Sequence, residues 1–529
     1  MSLTYDKIIF NINKLVLNSF NLNINNIELI GDSNLAISSK TIYGLIGENG
    51  IGKTTLLKAI NNLVMSLDNS ILKNYILYIE QEVILDERNI INYILDSNKK
   101  YLYYIEKLNH INNIINSDEF LNFNEDEIND LITTQTDINL LIESWNEGYE
   151  KHKIKNLLLK LGFSVDDYEK ETRLFSGGWQ MRISLARALY LEPNILLLDE
   201  SSNFLDLEAL ISLIDYLNNI PSAVIVVSHN IGFLNDICDF ILNIENKKLI
   251  QYKGNYNAFK KMYNNKILSQ NKEWEKYTNT IKTMKHKGIN KEKIQKYIEN
   301  NHVNKPCKYS QPIIKFINPI QTEYNILCLD NISFGYNNTI ILENISLGIG
   351  SNDRIVIVGK NGVGKSTLLK ILAGELDPTY GSINIKCKIG YYSQDSILKL
   401  PLDLTPIEYL SHILPSNILP REQLGKIKID AKFHNNKIET LSGGQKARLA
   451  IIELIHKNSQ ILLLDEITMH LDITTVDILL NALNNYTGSI IIVSHEIEFI
   501  KQLKTRILMI QEKKLIELNS YTDYCKIIL

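Results

Sequence analysis

Two stretches of the chain, GENGIGKTT at 47–55 and GKNGVGKST at 359–367, place the same residue types at the same spacing. In the first, Gly47, Asn49, Gly50 and Gly52 lead into Lys53, Thr54 and Thr55. In the second, Gly359, Asn361, Gly362 and Gly364 lead into Lys365, Ser366 and Thr367. Closely spaced glycines let backbone N–H groups wrap an anion, and the lysine adds a point charge at a β- or γ-phosphate. The first hydroxyl, on Thr54 or Ser366, can ligate Mg²⁺. The chemistry implied is the binding of ATP with Mg²⁺.

A second pair of stretches supplies acids. NILLLDE and QILLLDE each end an apolar run in two carboxylates, Asp199–Glu200 and Asp465–Glu466. Asp199 and Asp465 are placed to hold Mg²⁺, and Glu200 and Glu466 to orient or deprotonate an attacking water. Gln81 in YIEQE and Gln394 in YYSQD suit a loop that senses the metal and its water. His229 and His495 each follow a β-like run ending in VVS or IVS. One such histidine is ordinarily structural, but the matched pair fits a γ-phosphate sensor. Ser176, Gly177 and Gly178, and Ser442, Gly443 and Gly444, open two Arg-bearing helices and offer a hydroxyl, N–H groups and a helix N-terminus to a phosphate. Tyr336 stands 23 residues before Gly359, a place from which it can stack on adenine. The first half offers only Phe20, 27 residues before Gly47, as a rough counterpart, and a Phe in a strand is ordinarily a core residue.

The elements that position these groups come twice. Each glycine loop follows a β-like run, TIYGLI or DRIVIV, and opens a helix, TTLLKAI or STLLKIL. Ser176 to Asp199 and Ser442 to Asp465 are both 23 residues; Asp199 to His229 and Asp465 to His495 are both 30. Gln81 to Ser176, at 95 residues against 48 for Gln394 to Ser442, breaks the register. The first half therefore carries 95 − 48 = 47 extra residues, within about 84–165, where Leu, Ile and Tyr recur at helical spacing. Between the halves, 256–305 also reads as helix, turning at Gly288, with Pro306, Pro312 and Pro319 just beyond.

Composition limits the remainder. At 529 residues the chain has room for roughly two or three domains. No apolar run reaches the roughly 18–20 residues that cross a bilayer, and the N-terminus shows no signal or transit pattern. Five cysteines without CxxC spacing point to reduced thiols in the cytoplasm rather than to disulfides or zinc. The net charge of −4 gives no general pull toward nucleic acid. Residues 260–308 differ, with 13 Lys against four Glu. There Trp274, Tyr277 and Tyr297 interleave the charges, suiting either helix packing or base stacking. Arg occurs eight times against 48 Lys, yet Arg182, Arg187 and Arg448 all follow the two SGG turns.

Together these motifs resemble ATP-binding cassettes. In that superfamily two cassettes face head to tail, so that Lys53, Glu200 and His229 would work with Ser442, and Lys365, Glu466 and His495 with Ser176. LLLKLGF, FSGGW with Trp179, YKGNYNAF at 252–259 and LSGGQKAR resemble the ABC-F family of soluble tandem-cassette ATPases. FLNDICDFILNIENKKLIQYKGNY and DLTPIEYL are most similar to its eukaryotic branch. The resemblance implies an α/β fold with two P-loop cassettes in tandem. A first cassette at 1–255 would carry a helical arm, a helical linker would occupy 256–322, and a second cassette would occupy 323–529. It implies a monomer whose cassettes pair within the chain, a cytoplasmic place with a nuclear or nucleolar phase open, and a ribosome or pre-ribosomal subunit as partner. The basic linker at 260–308 would meet rRNA or tRNA. Two alternatives stand beside it: the ATPase subunit of a membrane transporter, and a nucleotide-dependent scaffold of low turnover. DESSNFLD and DEITMHLD depart from the family's DEPTNHLD, with Ser201 and Ile467 where prolines are usual.

Overall fold

The structure is a computed structural model that describes residues 2–11, 14–24, 27–67, 76–79, 86–116, 123, 125–144, 147–175, 177–301, 312–320, 326–337, 339–494, 496–503 and 506–528. Gln81, Ser176, His495 and the 302–308 end of the basic segment lie outside the described residues.

Apolar runs without alternation make parallel strands buried on both faces. Ile195–Asp199 and Ala223–Val227 are buried along their whole length, as are Ile461–Asp465 and Ser489–Val493. In the first lobe they join a six-stranded sheet in the order Lys248–Lys253, Phe240–Glu245, Thr41–Ile46, Ala223–Val227, Ile195–Asp199, Ile76–Ile79. Only the Lys248–Lys253 edge runs antiparallel. The second lobe repeats this order with Lys514–Leu518, Arg506–Gln511, Arg354–Val358, Ser489–Val493, Ile461–Asp465 and Ile389–Tyr392. The glycine loops and acidic pairs thus emerge together at the carboxyl ends of neighbouring strands, where open α/β sheets bind ligands.

One face of each sheet is covered by the helix after the glycine loop, Lys53–Leu67 or Lys365–Leu372, and by an antiparallel sheet. Phe20 lies wholly inside this packing, so it is a core residue and stacks on no base. On the other face of the first sheet pack Gly177–Leu191, Leu207–Asn219 and Ile231–Ile237.

The extra residues of the first lobe form helices Lys99–Ile115 and Glu125–Ser144, which lie side by side with Gln135 Nε2 donating to Asn112 Oδ1 at 2.7 Å. A third helix, Glu147–Lys160, brings the chain back against Gly177–Leu191, burying Leu158, Leu161 and Phe163. Between the lobes, Tyr256–His286 runs 31 residues from an Asn255 cap, whose side chain accepts from Ala258 N–H at 3.1 Å. The chain turns at Gly288, where φ of +66° suits glycine, and returns as Lys291–Asn300. Tyr277 is buried, 6.1 Å from the Tyr297 ring and 5.6 Å from Trp274, so these aromatics hold the two helices together. Lys282, Lys285 and Lys287 face solvent.

The lobes interlock. Leu207 is 3% exposed and packs with the core of the second lobe, while Ile473 is 7% exposed and packs with that of the first. Lys428 meets Glu48 across the boundary at 3.1 Å, and Lys260 at the root of the linker meets Asp477 at 2.8 Å.

Candidate active site

The glycine loops owe their shape to residues without side chains. A Cβ on Gly364 would lie 2.6 Å from Ile341, and its φ of +104° is left-handed. Gly52 at +108° has Leu29 in the same place. Each loop curls around its own lysine. Lys53 Nζ donates to the carbonyl oxygens of Gly47 at 2.8 Å and Glu48 at 3.1 Å, and Lys365 Nζ to those of Gly359 at 2.7 Å and Lys360 at 2.9 Å. Both lysines are 7% exposed. Burial pushes their pKa values down, and nearby carboxylates push back: Glu200, Asp472 and Asp199 on Lys53, and Glu466, Asp206 and Asp465 on Lys365. Asp472 and Asp206 belong in each case to the opposite lobe.

Site one is a cavity of about 490 Å³. Asn49, Gly50, Gly52, Lys53, Thr54 and Thr55 line one wall, Glu200 and His229 a second. Ser442, Gly443 and Gly444 of the other lobe close it. The approach is close: Asn49 Nδ2 donates to His470 O at 3.2 Å, and a Cβ on Gly444 would lie 2.8 Å from that same nitrogen. Site two, about 590 Å³, joins Asn361, Gly362, Gly364, Lys365, Ser366 and Thr367 to Gln394, Asp465 and Glu466. Gly178 enters from the first lobe, and Tyr336 stands at the rim, 44% exposed, edge-on to Phe334 at 4.9 Å. Gly177 begins the helix behind it.

Asp199 and Asp465 are each 1% exposed, and burial raises both pKa values. The hydroxyl of Thr54 lies against Asp199 and that of Ser366 against Asp465. Tyr78 also donates to Asp199 Oδ2 at 3.0 Å. Oδ1 of Asp199 and both carboxylate oxygens of Asp465 are buried without a well-formed hydrogen bond among the described residues. Hard oxygen donors of this kind fit Mg²⁺. Among the described residues no cluster of three or more His, Cys, Asp or Glu forms a cage, so further ligands would have to come from phosphate and water. Glu200 and Glu466, each directly after its strand, both take a left-handed φ of +51°. Glu200 Oε1 lies 3.1 Å from His229 Nε2. Burial pushes Glu200 up, but His229 and Lys53 outweigh it and hold the carboxyl below its ordinary range.

Several residues at these sites work across the boundary between the lobes. His470 reaches site one from the second lobe and acts on Glu200. Asp206 and Asp472 cap the helices Leu207–Asn219 and Ile473–Asn484 within their own lobes while facing the other lobe's lysine.

Two glycine loops on doubly wound sheets, one facing Ser442, Gly443 and Gly444 and the other Gly178 of the opposite lobe, define a tandem ATP-binding-cassette ATPase. The family model described as "ABC transporter" matches at 30–203 and again at 342–469. The ABC transporter F family member 4 of Arabidopsis thaliana is 33% identical over 527 residues, covering 93% of this chain and 72% of that protein. Protein GCN20 of Saccharomyces cerevisiae is 33% identical over 506 residues, covering 89% of this chain and 66% of its own length. The chain belongs to the ABC-F family. In fold it is similar to the archaeal ribosome recycling factor aABCE1, solved in complex with the ribosomal stalk protein aP1. The TM-score is 0.61 at 18% identity, covering 96% of this chain and 91% of that one. No helix among the described residues is long and apolar enough to cross a membrane.

Proposed function

We propose that this chain is an ATP-driven clamp acting on a ribosome or pre-ribosomal particle in the cytoplasm. The observation that carries the clamp is that each phosphate loop is walled by the opposite lobe. ATP held at Lys53 or Lys365 would bridge the lobes, and its hydrolysis would release them. In each site the glycine-loop N–H groups and lysine hold the β- and γ-phosphates, and the opposing SGG turn grips the γ-phosphate from the far side. Glu200 and Glu466 hold and orient the attacking water, and accept its proton at a carboxylate oxygen. His229 keeps Glu200 ionised and in place, and His495 has the matching position in the sequence. Mg²⁺ would be held by Thr54 and Asp199 in one site and by Ser366 and Asp465 in the other, with Gln81 and Gln394 alongside; bound there, it neutralises charge on the phosphates.

The ribosomal partner is supported by the exposed lysines of the linker hairpin, whose +9 excess over 260–308 suits an RNA backbone. It is also supported by the ribosomal role named for the archaeal recycling factor that shares this fold. Reversing the charge of Lys282, Lys285, Lys287 and Lys291 tests it. Co-sedimentation with ribosomal particles should weaken, with a shallower dependence on salt, and binding unchanged at every salt concentration would refute the linker's role.

A further inference from the structure

The two signature turns are built differently, and the difference leads from the helical arm to one ATP site. In the second lobe Gln445 caps its own helix: Ser442 N–H donates to Gln445 Oε1 at 2.9 Å, and Gln445 N–H to Ser442 Oγ at 3.3 Å. Trp179 occupies that position in the first lobe and cannot cap. Its ring instead lies 4.5 Å from the Arg182 guanidinium and 4.8 Å from the Phe163 ring. Arg182 is 3% exposed. It donates through Nη1 to Leu161 O at 3.0 Å, and its Nη2 stands 2.9 Å from Asp206 Oδ2. Leu161 and Phe163 lie in the turn just after the helix Glu147–Lys160 that returns from the arm. Asp206 lies between Leu205, which lines site two, and Leu207, which is buried in the second lobe.

The second lobe keeps the Arg–Asp end of this path but, among the described residues, not its tie to the preceding turn. Gly162 and Lys428 stand 14 residues before their respective serines and both have left-handed φ, +87° and +59°. A Cβ on Gly162 would lie 3.0 Å from Arg182 Nη1, so the missing side chain lets the arginine reach Leu161. Lys428 points to Glu48 of the first lobe instead. Arg448, the counterpart of Arg182, meets Asp472 at a looser 3.4 Å.

We propose that the Leu161–Phe163 turn, Trp179 and Arg182 form a positioning relay that ties the helical arm to Asp206. Through Asp206 the relay reaches the Lys365 phosphate loop and makes site two, not site one, answer to the arm. A planar guanidinium held on three sides transmits a displacement of the turn as a displacement of the carboxylate. Asp206 is also among the charges acting on buried Lys365. The relay rests on Lys53 and Lys365 being the phosphate-holding lysines.

The test uses the full chain with Glu200→Gln and Glu466→Gln, which retains ATP, and follows release of labelled ATP. Adding Lys53→Ala leaves site two occupied, and adding Lys365→Ala leaves site one. Trp179→Gln should speed release from site two by roughly tenfold and leave site one within about twofold, with Trp179→Phe restoring the rate. Gly162→Ala, which perturbs the relay at the foot of the arm, should produce the same selective change. Equal acceleration at both sites would overturn the proposal, as would no acceleration at either; acceleration by Trp179→Gln but not by Gly162→Ala would show a tryptophan that only shapes its own turn and would overturn it too. If the Lys→Ala chains still hold two ATP, the lysine assignments fail, and the relay fails with them.

Discussion

Truncating Leu207 to alanine removes a side chain that is 3% exposed but packs with the lobe it does not belong to. If the lobes part when ATP leaves, Leu207 is buried only in the closed form, and its loss falls on closure. Burial of a leucine contributes about 2–3 kcal/mol, with a cavity adding to the loss. At about 1.4 kcal/mol per tenfold change, a 2.5 kcal/mol loss shifts the closing equilibrium by roughly 60-fold. Two ATP molecules close one chain, so the ATP concentration that half-closes it, read from the distance between labels on the two lobes, should rise by the square root of that factor, roughly eightfold. Ile473→Ala should act in the same direction through the first lobe's core. The two sites lie on separate patches, so the double variant should approach the product of the single shifts. Calorimetric melting of the lobes should barely change. A lower melting temperature with an unchanged ATP midpoint would show that Leu207 belongs to one rigid core, and would refute the reasoning.

Three further outcomes follow from the site geometry. In the Glu466→Gln chain, where only site one turns over, His229→Ala leaves burial of Glu200 unopposed by its partner. The carboxyl pKa then rises from its depressed value, so the acid limb of the pH–rate profile should move to higher pH; an unmoved limb contradicts the pairing. Tyr336→Ala should weaken ATP binding at site two by about tenfold, since base stacking is worth about 1–3 kcal/mol. Site one, lined there by Ile24, Ile27 and Leu29, should be unaffected, and equal weakening at both would count against adenine stacking. Lys260→Ala removes the 2.8 Å bridge from the linker's root to Asp477, five residues beyond Asp472. It should change ATP release from site one rather than site two, measured as for Trp179.

The local parts of the site were legible in the sequence because local geometry makes them. A glycine loop between strand and helix, or a carboxylate pair ending an apolar strand, needs no distant neighbour to acquire its shape. Phe20 is the core residue that a Phe in a strand ordinarily is: a spacing from Gly47 cannot tell which face of an antiparallel strand a residue occupies, and this one faces the core. His470, Asp206 and Asp472 stand within DESSNFLD and DEITMHLD, but they face the opposite lobe, and spacing along one chain does not encode that pairing. Trp179 shows both limits. Its letter marks the family, while its contact with Arg182 emerges only once the returning helix of the arm brings Phe163 and Leu161 alongside.

Glu200→Gln combined with Glu466→Gln removes the groups placed to activate water and leaves both phosphate loops intact. Sedimented with cell extract in Mg²⁺-ATP, this chain should travel with ribosomal particles and dissociate when ATP is withdrawn. Protein that stays free of those particles in ATP, or travels with membranes, would contradict the ATP-driven ribosomal clamp.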